Sequence, residues 1–142
     1  MTSVLMIAML FAQVVLPGLD QIRADVNPER RAKLAVDFAA AAEKNAEAAY
    51  SSGDMAAVIA ELKNMVAGME LAKEALDQTG KTANRNPGPF KAVELKSQAI
   101  LERLGDLEKR MDSEERGVLE AARNRVQEIH DAWFDGIMSK KK

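Results

Sequence analysis

The chain's single histidine, His130, stands in the run Arg125-Val126-Gln127-Glu128-Ile129-His130-Asp131-Ala132-Trp133-Phe134. On a helix, Trp133 and Phe134 follow it by three and four residues, so one face brings the imidazole beside an aromatic ring. One imidazole can move a proton near neutral pH or supply one metal bond. Covalent catalysis has no support, because cysteine is absent and no serine occupies a nucleophile-elbow context. A His-Glu-x-x-His zinc motif needs a second histidine. A di-iron bundle needs Glu-x-x-His, and the residue three before His130 is Gln127. Asp131 and Asp135 lie one turn apart on a face that reads as solvated. We therefore expect a non-enzymatic protein with no catalytic residue and no metal site. Trp133 and Phe134 are the candidate partner-contact residues, because aromatic side chains anchor interfaces.

Four helices are expected to position these residues. Asn27 caps the first, with Pro28 at its first position and Glu29 in its first turn, and the helix runs over about residues 28–50. Its expected inward stripe is Ala35, Phe38, Ala42, Ala46 and Ala49, with Leu34 beside it. Leu19, Ile22 and Val26 ahead of it suit a short amphipathic turn. Ser51-Ser52-Gly53 makes a tight connection and Asp54 caps the second helix, about 55–79. Its seam is Met55, Val58, Ile59, Leu62, Met65, Val66, Met69, Ala72 and Leu76, with Gly80 as the stop. The stretch from Gly80 to Gly88 is rich in turn formers and reads as a linker. The third helix, about 89–111, carries Phe90, Val93, Ser97, Ile100, Leu104, Leu107 and Met111 in steps of three and four. Asp112 and Glu115 form a capping box for the fourth, about 113–138, with Leu119, Ala122, Val126, Ile129, Trp133 and Ile137 inward.

Matched lengths and short connections predict an all-α fold: an antiparallel up-down-up-down four-helix bundle made of two helical hairpins. Residues 17–142 form one domain in this reading. No internal repeat supports a solenoid.

The chain is similar in architecture to the exported b-type cytochromes built as four-helix bundles, which hold haem between a methionine and a late histidine. That resemblance implies a ligand- or haem-binding alternative using His130 and a core methionine, Met69. It departs from the family in lacking a methionine early in the first bundle helix. Haem belongs to that alternative alone; the leading reading has no cofactor.

The location is read from the front of the chain. From Val4 to Leu16 every residue but Gln13 is apolar. Those residues span about 20 Å as a helix, short of a hydrocarbon core of about 30 Å but matched to a signal-peptide core. Residues 1–16 are therefore expected to be an export signal, with a small residue for cleavage at Ala12. The start, Met1-Thr2-Ser3, carries no basic residue, which a start codon placed too late would explain. A mature chain without a transmembrane span, in the periplasm, cell envelope or extracellular space, follows.

Composition narrows the partners. Of 142 residues, 47% are hydrophobic and 30% charged, with a net charge of −2 and four percent aromatics. That balance suits a globular helical domain. No basic face suggests nucleic acid; beyond Lys109-Arg110 the basic runs are Arg30-Arg31 and Lys140-Lys141-Lys142. The expected function is contact with another protein.

Overall fold

A computed structural model describes residues 18–139, of which 84% are helical with no strand. The expected export segment, its cleavage point after Ala12, and the terminal lysines lie outside the described residues. Five helices follow in order: α1 (Leu19–Arg23), α2 (Pro28–Ser51), α3 (Met55–Gln78), α4 (Pro87–Arg110) and α5 (Ser113–Met138).

Local chemistry sets the helix starts. The side chains of Asn27, Asp54 and Asp112 each accept a hydrogen bond from a backbone N–H in the first turn of α2, α3 and α5. Each satisfies a donor that the helix itself leaves open. At Asp112 the box closes, as the Glu115 carboxylate accepts from the Asp112 N–H at 3.0 Å. Gly53 and Gly80 adopt φ of 75° and 69°, a conformation that costs glycine little, and they end α2 and α3. α4 begins two residues before the expected position, at Pro87, because proline is tolerated in a first turn where no N–H partner is needed.

The four long helices pack side by side as a helical bundle. α2 lies on α3 and α4 on α5, each pair joined by a short turn; α2 also touches α4, and α3 touches α5. α3 and α4 meet only weakly, so they hold opposite corners. Paired residues rise together from α2 to α4 (Asp37 with Lys96, Glu43 with Arg103, Tyr50 with Arg110), and their hairpin mates α3 and α5 meet at Glu70 and Arg125. The hairpins thus dock through parallel helix pairs. The linker crosses one end, where Ala83 is buried and sits close to Gly136 of α5.

The core differs from the expected seams on α2 and α3, and on α5 the expected Ala122 and Ile137 are only partly buried. On α2 the buried set is Ala32, Ala35, Val36, Ala39, Ala42, Glu43 and Ala46, with Phe38 and Ala49 only partly covered. The face has turned toward α3, because Gly68 there lets the backbones close: a Cβ at Gly68 would lie 2.8 Å from the Ala35 carbonyl oxygen. On α3, Ile59 is exposed and Val66 half-buried, whereas Leu71 and Ala75 are buried. The α4 seam holds at every expected position, with Glu94 added. Ahead of α2, Ile22 enters the core while Val26 stays in solvent.

Candidate functional site

His130 projects from α5 into a cleft of about 1060 Å3 between α4 and α5. Its Nε2 lies 3.3 Å from Glu94 Oε1 on α4, and its Nδ1 lies 3.0 Å from Asp131 Oδ1. The ring stacks on Phe134, one turn on, with centroids 6.1 Å apart and planes 15° from parallel. An imidazolium donates to both carboxylates; a neutral ring can satisfy only one. The contacts from His130, then Gln127, hold the Asp131 carboxyl below the usual carboxylate range. Arg123 bridges to Glu108 across the same cleft. Besides His130, the polar side chains that line the cleft are carboxylates, amides and cations, with no hydroxyl or thiol among them.

The residues singled out in the sequence separate here. Met69 is fully buried in the core, whereas His130 faces the α4–α5 cleft with each ring nitrogen against a carboxylate. Among the described residues no group of three His, Cys, Asp or Glu side chains is arranged to hold a metal ion. Trp133 is 4% exposed and belongs to the core; Phe134 is 45% exposed and remains available for contact. No helix among the described residues is long and apolar enough to cross a membrane.

Two features escaped the sequence. The first is an acid pair on the α2–α4 seam. Glu43 is 0% exposed, and its Oε1 accepts from Arg103 Nε at 2.8 Å while Oε2 has no hydrogen-bond partner. The same Nε lies 2.9 Å from Glu47 Oε2. Burial, and then the neighbouring Glu47 carboxyl, push the Glu43 pKa up to about 8, against the pull of Arg103. Its sequence signal was a carboxylate at helical spacing between Ala39 and Ala46. The second is a groove of about 360 Å3 between α3 and α5, floored by Leu62, Val66 and Ala122 and edged by Ile59 and Val118. Ile59 and Val118 are 39% and 37% exposed. Ile59 kept helical spacing and so looked like core; the neighbour needed to cover it is missing on that side.

Comparison of the chain with protein-family models, with curated proteins and with solved structures finds no match.

Proposed function

We infer that this chain is an exported, non-enzymatic, up-down-up-down four-helix bundle that works by contact with another protein in the periplasm or cell envelope. The carrying observation is the apolar groove between α3 and α5, where aliphatic side chains stand open to solvent beside a core that already satisfies the remaining seams. The α4–α5 cleft supports the same reading. Its one imidazole lies against a carboxylate at each ring nitrogen, and Phe134 offers an uncovered ring edge. Export rests on the apolar segment from Val4 to Leu16 and its length.

Site-specific photocrosslinking in the native host tests the contact. A crosslinker at Val118 is expected to trap one discrete partner, and one at exposed Glu120 on the same helix to trap none. Equal trapping from both positions, or from neither, removes the groove as the contact surface. The intact mass of the native protein tests export: a full-length chain in the cytosol overturns that half of the reading.

A further inference from the structure

Resting on that reading, we propose that the α3–α5 groove receives an amphipathic helix of a partner protein, with large aliphatic residues one turn apart and an acidic residue along the edge that meets Lys63. The groove holds one or two aliphatic side chains and is too small for a whole helix, whose cylinder is about 10 Å across. A helix laid over it therefore inserts side chains at i and i+4 between Ile59 and Val118 and keeps its backbone outside. Alanines at 121 and 122 keep the α5 wall low enough for that approach. A second copy of this chain fits less well. A stable dimer covers about 800 Å2 on each partner, and only two large side chains stand open here.

Charge sets the sign and the side. The groove is lined by two charged residues, Lys63 and Arg125, both cationic. Arg125 is already committed: its Nη2 lies 2.8 Å from Glu70 Oε2, and its Nη1 lies 2.9 Å from Glu128 Oε2. Lys63 on α3 is exposed, and no carboxylate of the described residues pairs with it. A partner acid on the α3 side gains an ion pair there, and a partner base meets repulsion. The resulting discrimination is electrostatic and weakens with salt.

Two synthetic amphipathic peptides of about 18 residues test this, long enough to form helix on binding. They share one leucine stripe and carry either glutamate or lysine along its flanks. Fluorescence anisotropy with the full chain is expected to show the glutamate peptide bound about threefold tighter at low salt, with the gap narrowing near 0.5 M salt. Val118→Asp is expected to abolish binding of both peptides, and Lys63→Glu to reverse the preference. Ile59→Asp serves as a second groove variant, with Trp133 fluorescence confirming that each variant is folded. Equal, Val118-dependent binding of both peptides overturns the acidic partner and leaves the groove as a docking surface. Absence of binding by either peptide, while Val118 still crosslinks a partner, overturns the helix and leaves the protein-contact reading standing. Self-association that Val118→Asp removes makes the occupant a second copy and overturns the proposal.

Discussion

Glu43 carries the most consequential single ionisation in the described chain. Its carboxyl is enclosed between α2 and α4, shares Arg103 with Glu47, and has one oxygen without a partner. The folded state therefore favours the protonated acid, with a pKa near 8 against 4.5 for the free group. A raised acid pKa means that the folded chain binds this proton more tightly than the unfolded one. Its contribution to stability is fully present below about pH 4.5 and is lost as pH rises toward 8, by at most about 1.4 kcal/mol per pH unit for one proton. Glu43→Gln keeps the shape and a donor for Glu47 and cannot ionise. Urea unfolding between pH 5 and pH 9 is expected to show a falling stability for the natural chain and a flatter profile for the variant. Identical slopes would mean that the carboxyl is ionised throughout. His130 shows the reach of residue-level reading from the other side. Its stacking on Phe134 followed from the spacing of four, but its partner Glu94 lies 36 residues away, beyond any local pattern.

At the scale of elements, the helices were legible because their ends are local chemistry. Asn27, Asp54, Asp112 and Gly80 mark boundaries with side chains or backbone freedom that need no tertiary partner. Replacing Asp112 with alanine removes the box with Glu115 and is expected to cost about 1 kcal/mol, read as a lower urea midpoint. The buried face of α2 was not legible. Alanine crowds several faces of that helix, so periodicity gives no size contrast, and the close approach of Gly68 decides between Val36 and Phe38. Two glycines make this testable. At Gly117 on α5 a Cβ meets nothing within 4 Å, so Gly117→Ala is expected to stabilise the chain by about 0.5–1 kcal/mol through helix propensity. At Gly68 the same change puts a methyl 2.8 Å from backbone and 3.0 Å from the Ala39 side chain. Overpacking of that kind costs about 1–3 kcal/mol, which outweighs the propensity gain. Thermal melts are expected to move in opposite directions for the two variants; a stabilising Gly68→Ala would show that α2 and α3 have slack between them.

The arrangement of the whole molecule was the least legible layer, because four seams with the same three-and-four spacing are interchangeable as partners. The contacts resolve them into two unequal hairpins. α2 and α3 press together over alanine and glycine, where a Cβ at Gly68 would lie 2.8 Å from the Ala35 carbonyl oxygen. α4 and α5 touch less and flank the larger cleft, where Gly105 and long charged side chains leave space. Between the hairpins run the ion pairs Lys96–Asp37, Arg103–Glu47 and Arg125–Glu70, all with at least one solvent-facing partner. Such pairs add little net stability, so docking rests on the shared apolar core and not on the ionic links. The α4–α5 hairpin should then open more readily than α2–α3. Native-state hydrogen exchange is expected to give central amides of α4, around Gly105, protection about tenfold below that of Ala39 on α2 or Met69 on α3, a gap of about 1.4 kcal/mol. Trp133, the only tryptophan and buried on α5, provides a second probe. Its fluorescence is expected to change at lower urea than the helical circular dichroism lost with α2 and α3. Uniform protection and coincident transitions would instead make the bundle one cooperative unit, with the α4–α5 cleft as rigid as the rest of the core.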